Sequence, residues 1–450
     1  MTDFRKGISR RTVLRTGLAG IIATGVAPTI FTRGAFAQEF CNMPKGDTVT
    51  LGFNMPLTGA YADEGADQQR ALTLAVEHLN GEGDGGLIPH FSSKALKGSG
   101  ILGKKVAYVT GDDQTKADAG RDSARRMIER DGAIMICGAS SSAVAIAEQA
   151  LCQEMGVIYM AGLTHSNDTT GKDKKRYGFR HFFNAYQSGV ALGPVLGEAY
   201  GKDRVAYHLT ADYTWGWTQE ESMIKATEAL GWKTLPPVRT PVGAGDFSQY
   251  LTPVLNSGAD VLILNHYGFD MVNSLTQAVQ FGLKDKQANG KDFQIVVPLV
   301  SDLMAKGAGE AMKGVYGTSN WDWQLGDDAS KAFTKSFGAK YGQPPSQIAH
   351  TSYVQALLYA DAVERAGTFY PPEVIKALEG FEFDGMGNGP TLYRAEDHQC
   401  FKDVLVVQGK QAPANPFDLL EVVGKASREA VTYDPTIFGG ELGPDTPALC

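Results

Sequence analysis

The chain has 450 residues, enough for roughly two or three domains. Hydrophobic residues make up 43% of it and charged residues 20%, which excludes a disordered chain, a fibrous repeat and a polytopic membrane protein. With 42 basic and 50 acidic residues the net charge is −8, so the chain is a poor candidate for nucleic-acid binding, which depends on clustered positive charge.

The first 37 residues have the composition of an export signal. A basic start precedes an apolar run from Thr16 to Phe31, and Ala35-Phe36-Ala37 provides a small-x-small cleavage signature. Residues 9–15 read S-R-R-T-V-L-R and resemble a twin-arginine signal, although Val13 replaces the usual Phe. We therefore expect a cleaved signal peptide of the twin-arginine type over 1–37 and a mature protein in the periplasm. A general secretion signal or a simple membrane anchor is the alternative.

An oxidising compartment would allow the five cysteines to pair. None of them forms a C-x-x-C motif, so structural zinc has no support. Cys137 ends a predicted strand and Cys152 ends the following helix, so these two should lie at opposite edges of a sheet, too far apart for a bridge. This placement predicts the pairs Cys41–Cys152 and Cys400–Cys450, and it leaves Cys137 free.

Strand-like apolar runs alternate with helical patterns through most of the chain after the export signal. The predicted strands cover residues 49–55, 105–110, 133–137, 157–160, 204–209, 261–265 and 294–298. The predicted helices cover residues 63–79, 118–131, 143–154, 189–200, 215–230, 246–256 and 270–281, and helices dominate 329–378. This alternation indicates βαβ units, and its two series predict an α/β fold of two doubly wound lobes with parallel sheets.

Several short matches to cofactor-binding or catalytic motifs lie at the wrong positions relative to the predicted strands and helices. The G-x-G-x-x-G match at 81–86 follows a helix, whereas a dinucleotide site needs a preceding strand. The phosphate-loop-like run at 98–105 lacks its final Ser or Thr and precedes a strand. The eight histidines show no metal-ligand spacing, and Asp112-Asp113 is typical of a turn before a helix. We therefore expect no cofactor, no metal and no enzymatic activity.

The run Gly138-Ala139-Ser140-Ser141-Ser142 follows a predicted strand and precedes a predicted helix. Ligands of parallel sheets bind at the carboxyl ends of the strands, where helix N-termini present free N–H groups. Ser140 and Ser141 are therefore candidates to hold a carboxylate or amide oxygen. The alternative is ordinary helix capping, for which serine is also favoured.

Four segments, in this order and behind an export signal, resemble the type I periplasmic solute-binding proteins of ABC transporters, in the branched-chain amino acid and amide class (leucine-binding-protein-like). They are L-G-F-N-M-P-L-T-G-A-Y at 51–61, G-D-D-Q at 111–114, G-A-S-S-S at 138–142 with A-G-L-T at 161–164, and G-D-F-S-Q-Y-L at 245–251 with G-A-D-V at 258–261. The resemblance implies two Rossmann-like lobes joined by a three-crossing hinge, with one solute in the cleft between them.

The same resemblance divides the chain. It implies a first lobe of residues 48–186 and 320–394 and a second lobe of 187–319 and 395–410, with hinge crossings near 184–188, 317–322 and 392–398. The tail, 411–450, lies outside the resemblance and is rich in Pro and Gly, so we expect it to be irregular.

The resemblance also implies roles for residues at the strand ends. Leu163, Thr164 and His165 fall on a stretch that supplies backbone and hydroxyl contacts to a solute carboxylate. Trp215 matches an aromatic position against the ligand and Tyr267 a cleft position, although Trp215 could be ordinary packing.

One departure from the family pattern concerns the solute. Leu299 stands where amino-acid binders of this class carry an acid for the α-ammonium group, and Asp302, three residues on, could replace that acid. Burying an unpaired ammonium against leucine would be unfavourable. The sequence therefore favours a small carboxylate or amide without a free α-amino group over a branched-chain amino acid.

These inferences predict the periplasmic substrate-binding component of an ABC importer, a monomer that delivers a small polar solute to a membrane permease. The alternatives are a ligand-sensing subunit that presents bound solute to a receptor and, from a different class, an exported α/β enzyme. An enzyme would require a nucleophile beside a positioned base, and the sequence shows none.

Overall fold

Two sheets with mostly parallel strands organise residues 42–445, the part of the chain that the computed structural model describes. The predicted signal peptide, Cys41 and Cys450 lie outside these residues. The described strands, in chain order, are β1 (Thr48–Met55), β2 (Lys105–Asp112), β3 (Met135–Gly138), β4 (Ile158–Ala161), β5 (Gly178–Arg180), β6 (Val205–Ala211), β7 (Lys233–Thr234), β8 (Val238–Thr240), β9 (Val261–Asn265), β10 (Gln287–Ala288), β11 (Lys291–Asp292), β12 (Gln294–Leu299), β13 (Tyr316–Ser319), β14 (Glu382–Phe383), β15 (Thr391–Tyr393), β16 (Cys400–Phe401), β17 (Val404–Gly409) and β18 (Leu420–Ala426).

The helices of the same region match most of the predicted ones. They are α1 (Ala62–Leu79), α2 (Ala117–Glu129), α3 (Ser142–Met155), α4 (Ala185–Tyr200), α5 (Thr214–Glu228), α6 (Ser248–Asn256), α7 (Gly268–Gln280), α8 (Asp302–Ala308), α9 (Asp328–Tyr341), α10 (Gln347–Ala366), α11 (Pro371–Leu378) and α12 (Arg428–Val431). Short 3-10 turns lie at Asn167–Thr170, Leu283–Asp285 and Gly309–Met312.

The first sheet has the strand order β2-β1-β3-β4-β5, and its pairs are all parallel. Every residue of β3 and β4 is buried, which is expected for strands covered by helices on both faces. Helices α1 and α10 pack together on one face, and α2 packs against α3 on the other. The carboxyl ends of β1, β3 and β4 therefore meet at one edge, where the serine run begins.

The second sheet is mixed, whereas the sequence predicted a parallel one. Its order is β18-β17-β13-β12-β9-β6-β7, with β8 also pairing with β6. Strands β6, β9, β12 and β13 are parallel to their neighbours within this group, but β17 and β18 run antiparallel at one edge. Strand β18 lies in the tail, so the expectation of an irregular tail was wrong over residues 420–426: Val422 and its neighbours pair with β17 despite the Pro and Gly around them.

The chain passes between the two sheets at short connections. Strand β5 belongs to the first sheet, and α4 follows it against α5 and the second sheet. Asn184 and Gln187 form a capping box at the start of α4, so the direction of the chain after the crossing is set by two reciprocal hydrogen bonds. Strand β16 still pairs with β15 beside the first lobe's core, and β17 already belongs to the second sheet.

The thiols of Cys137, Cys152 and Cys400 are free and buried in the structure. Cys137 is free as predicted, Cys152 packs on α3 among apolar residues that include those of α2, and Cys400 lies between His181 and Lys402. The predicted pairs Cys41–Cys152 and Cys400–Cys450 each include a cysteine outside the described residues. Burial raises the pKa of the Cys137 and Cys152 thiols, so both are poor nucleophiles.

Candidate ligand-binding site

A narrow cavity lies between the two lobes, at the carboxyl ends of the strands of the first sheet. Its lining residues come from both lobes: Ser140, Ser142, Leu163, His165, Tyr213, Trp215, Tyr267 and Leu299. The structure therefore brings together five of the eight residues proposed from the sequence. Ser141 and Thr164 are the immediate chain neighbours of lining residues, and Asp302 lies elsewhere. Contact with a solute stays a prediction for each of them.

The serine loop reaches the cavity because two backbone positions permit a sharp turn. Gly138 has φ +144°, and a Cβ there would lie 1.8 Å from the carbonyl oxygen of Asn54, so no other residue fits. Ala139 follows with φ +63°. The chain then enters α3 at Ser142, which places the free N–H groups and the positive end of the helix dipole at the cavity.

The serine hydroxyls are unequal in their bonding. Ser140 donates to Oε1 of Gln68 at 3.1 Å, and Oγ of Ser142 accepts the N–H groups of His165 and Ser166 at 3.2 and 3.1 Å. Ser141 is the N-cap residue of α3, and its side chain makes no capping hydrogen bond. Among the described residues, the buried hydroxyl of Thr164 has no hydrogen-bond partner. The polar end of the site thus holds hydroxyl and amide donors without a charged side chain in the lining.

A hydrogen bond across the cleft joins His165 of the first lobe to Trp215 of the second. Nε1 of Trp215 can only donate, and it lies 2.9 Å from Nδ1 of His165. The histidine proton therefore sits on Nε2, which donates to Oγ of Ser188 at 3.0 Å. Burial, with the nearby charge of Arg180, holds the pKa of His165 well below its usual range, so the imidazole is neutral.

Aromatic rings form the opposite wall of the cavity. The centroids of Trp215 and Tyr267 lie 6.2 Å apart with the planes at 74°, and those of Tyr213 and Trp215 lie 6.0 Å apart at 49°. Tyr61 of the first lobe supports this wall: its ring meets Tyr267 edge to face at 5.6 Å, and its hydroxyl lies 2.9 Å from that of Tyr213.

Sequence reasoning missed Tyr61 and Tyr213. The signal for both residues was their position: Tyr61 is the last residue of the segment 51–61 that resembles the family, and Tyr213 lies two residues before Trp215.

Asp302 lies outside the lining of the cavity. Leu299 lines the cavity, but Asp302 starts α8 and lines a separate small pocket with Lys306, Gln343 and Phe417. Burial and the charge of Asp322 raise the pKa of Asp302. Besides burial, the nearby carboxyl of Asp302 raises the pKa of the Tyr267 hydroxyl in the cavity wall, so a role of Asp302 toward the solute stays a prediction.

Arg180 holds the loop that carries Thr164 and His165. It is fully buried at the end of β5 and donates to the carbonyl oxygens of Thr164 (3.3 Å) and Ser166 (2.5 Å). It also donates to Oγ1 of Thr170 and Oε1 of Gln399, both at 2.5 Å. Burial lowers the pKa of Arg180 to about 10, so the guanidinium remains charged at neutral pH.

The two lobes also meet along the start of α1, where hydrogen bonds cross the cleft. They run from Phe269 N to Ala60 O (3.2 Å), between the hydroxyls of Tyr61 and Tyr213 (2.9 Å), and from Ser301 Oγ to Glu64 Oε1 (3.2 Å). Gly268 allows this approach: it has φ +55°, and a Cβ there would lie 2.5 Å from Cδ1 of Tyr61. The structure is thus a closed arrangement of the cleft.

Comparison with known proteins places this geometry in a family. The family model described as periplasmic binding protein matches residues 48–414. The chain belongs to the periplasmic binding protein family. This assignment confirms the two-lobed α/β fold predicted from the sequence and the class of solute-binding proteins, whose compartment is the periplasm.

Individual relatives agree with the assignment. The Leu/Ile/Val-binding protein homolog 1 of Brucella abortus is 25% identical over 343 residues, which cover 74% of this chain and 82% of that protein. A periplasmic binding protein from Burkholderia mallei has a TM-score of 0.76 at 25% identity, covering 86% of this chain and 96% of the other. A branched chain amino acid ABC transporter periplasmic ligand-binding protein from Burkholderia xenovorans has a TM-score of 0.70 at 25% identity, covering 85% and 96%.

Residues 42–445 contain neither a membrane-spanning helix nor a metal-binding group of side chains. No helix in that range is both long and apolar enough to cross a membrane. No group of three or more His, Cys, Asp or Glu side chains in it is arranged to hold a metal ion.

Replacing Arg180 by methionine tests the support of the binding loop. The variant keeps the length of the side chain but leaves buried acceptors in residues 164–170 without donors, each costing about 1–3 kcal/mol. We expect the free energy of unfolding in urea to fall by at least about 3 kcal/mol. The control is Arg125→Met, which removes a partly exposed ion pair with Glu129 and should cost less than about 1 kcal/mol. Equal losses in the two variants would contradict the role given to Arg180.

Proposed function

We propose that this periplasmic binding protein captures a small solute in the cleft between its lobes and delivers it to the membrane permease of an ABC importer. The observation that carries the proposal is the cavity between the lobes, whose walls come from both of them and whose lining combines hydroxyl and amide donors with aromatic rings. The relatives support it, because one is named as a branched chain amino acid ABC transporter ligand-binding protein. We infer that residues 1–37 act as a twin-arginine export signal and that the mature protein is monomeric.

The lining favours a small carboxylate or amide without a free α-amino group. Ser140, Ser141 and Thr164, with the N-terminus of α3, suit an oxygen anion or a carbonyl. No acidic side chain lines the cavity, and Leu299 occupies the position at which an amino-acid binder would need one. A primary ammonium would lose its hydration there without gaining a charged partner, which costs several kcal/mol. A branched-chain amino acid, which the names of the relatives suggest, is therefore the less favoured solute.

Binding can be found with a thermal-shift screen of small carboxylates, amides and amino acids. A ligand present at a hundredfold excess over its Kd stabilises the protein by about 2.7 kcal/mol. Failure of every compound to stabilise the protein would count against solute capture.

Trp215→Ala should weaken the binding of the best solute by at least about tenfold, because it removes ring surface from the cavity and the hydrogen bond to His165. Trp217 offers a matched control two residues away. Its side chain is 41% exposed and bonds to Asp212, outside the cavity. Calorimetric titration of both variants should show the loss in Trp215→Ala only, and equal affinities would refute the assigned site.

Gly268→Ala should weaken binding without altering the cavity lining. The new Cβ would collide with Tyr61 and with the carbonyl oxygen of Ala60 in the opposite lobe, so the closed cleft is blocked. Gly282→Ala is the control, since Gly282 is also in the left-handed region (φ +75°) of the second lobe but has nothing within 4 Å. Each variant carries about 1–2 kcal/mol of backbone strain. Only Gly268→Ala should reduce the affinity and remove the ligand-induced compaction in small-angle scattering; the same affinity in both would contradict closure.

A further inference from the structure

Two buried carboxyl groups lie behind the aromatic wall of the cavity. Glu64, on α1, accepts from Ser301 at 3.2 Å, and both oxygens of Asp270, on α7, accept the N–H of Gly243 at 3.0 and 2.8 Å. Burial does most to raise the pKa of the Tyr61 hydroxyl, and its hydrogen bond with Tyr213 and the nearby carboxyls of Asp270 and Glu64 add to it. Burial also raises the pKa of the Tyr267 hydroxyl, and the nearby carboxyl of Glu64 raises it further. The carboxyl groups are thus close to the rings without reaching the cavity lining.

The other end of the site has the opposite polarity. Helix α3 begins there and presents its positive end, and the Arg180 guanidinium lies behind Thr164 and Ser166. Burial raises the pKa of Asp270 to about 6, so its carboxylate is mostly ionised at pH 7 and makes the aromatic end negative. A solute that is negative at the serine end and positive at the aromatic end matches this field.

The chemistry of the aromatic end selects the kind of cation. A primary ammonium group carries three N–H donors, and the lining there, Tyr213, Trp215, Tyr267 and Leu299, offers it the Tyr267 hydroxyl but no carboxylate. A fully methylated ammonium carries no N–H donor, and it is attracted by aromatic faces and by negative charge behind them.

The angles between the rings favour a tetrahedral group over a flat one. The planes of Trp215 and Tyr267 stand at 74° and those of Tyr213 and Trp215 at 49°, so neither pair forms a parallel-walled slot for a flat group. Rings at these angles form a corner that can surround a trimethylammonium group on more than one side.

We propose that the solute is a betaine, a small carboxylate that carries a quaternary ammonium group. The carboxylate lies at the serine end and the methylated cation lies against Tyr213, Trp215 and Tyr267. This inference rests on the proposed function, because it names the class of solute that the same cleft captures.

The experiment compares two ligands of the same shape. Glycine betaine and 3,3-dimethylbutanoate differ only in the atom that carries the three methyl groups, positively charged nitrogen in one and carbon in the other. Calorimetric titration of the purified protein should give a Kd for glycine betaine at least about tenfold lower than for its neutral counterpart. Equal affinities, or no binding of glycine betaine, would overturn the inference.

A variant tests the carboxyl behind the rings. Burial raises the pKa of Glu64 to about 8, so at pH 7 it is mostly protonated before a cation binds. A cation nearby favours the ionised form, so binding should release protons, measured as different heats in phosphate and Tris buffers. Its charged and titratable neighbours are Asp63 and Asp67 on α1, with Tyr61 and Tyr267 across the rings.

Glu64→Gln keeps the oxygen that Ser301 bonds and removes the titration. The preference for glycine betaine over 3,3-dimethylbutanoate and the proton release should both shrink in this variant, whereas exposed Glu129→Gln should retain both. Unchanged values in Glu64→Gln would overturn the inference.

Leucine and benzoate separate this inference from the proposed function. If either binds more tightly than glycine betaine and loses affinity in Trp215→Ala, the betaine assignment fails but solute capture stands. If no solute in the screen binds, both fail.

Discussion

The hydrogen bond between Trp215 and His165 joins the lobes at the point where the solute is expected to lie. It uses the single N–H of the indole, so Trp215 turns its ring and no donor to the cavity. It also fixes the histidine tautomer, and from Nε2 the bonding continues through Ser188 and Thr318 to the carbonyl oxygen of Pro298. The imidazole of His165 is neutral and the Trp215 ring is held in place, so this wall of the cleft is ordered without carrying a charge.

Sequence periodicity was sufficient for the architecture where strands were long and apolar. The β1 and β6 regions were predicted within a residue or two because both are apolar runs followed by helical patterns. Strand β5 has three residues, which is too short for a periodic signal, and β18 is held by pairing with β17 in a segment whose composition suggests a loop. Such elements depend on tertiary partners, and composition does not show them.

Site residues that depend on partners distant in the sequence are likewise not visible in the sequence. Trp215 and Tyr267 were proposed from the resemblance to the family, and Ser140 could be proposed from the residues alone because it follows a strand, and strand ends of a parallel sheet converge. Arg180 could not, because its importance lies in acceptors that include Gln399, 219 residues away in the chain. Asp302 lines a separate pocket from Leu299 although the two are three residues apart, and its role toward the solute stays a prediction.

Closure of the cleft is the claim on which the account of binding depends, and one backbone amide reports it directly. The N–H of Phe269 lies in the first turn of α7, where the helix supplies no acceptor, and it donates to Ala60 in the opposite lobe. Hydrogen exchange resolved at this amide should be slow when the protein is saturated with a bound solute. Fast exchange at saturation would show that the lobes do not close on the solute, and it would contradict the account.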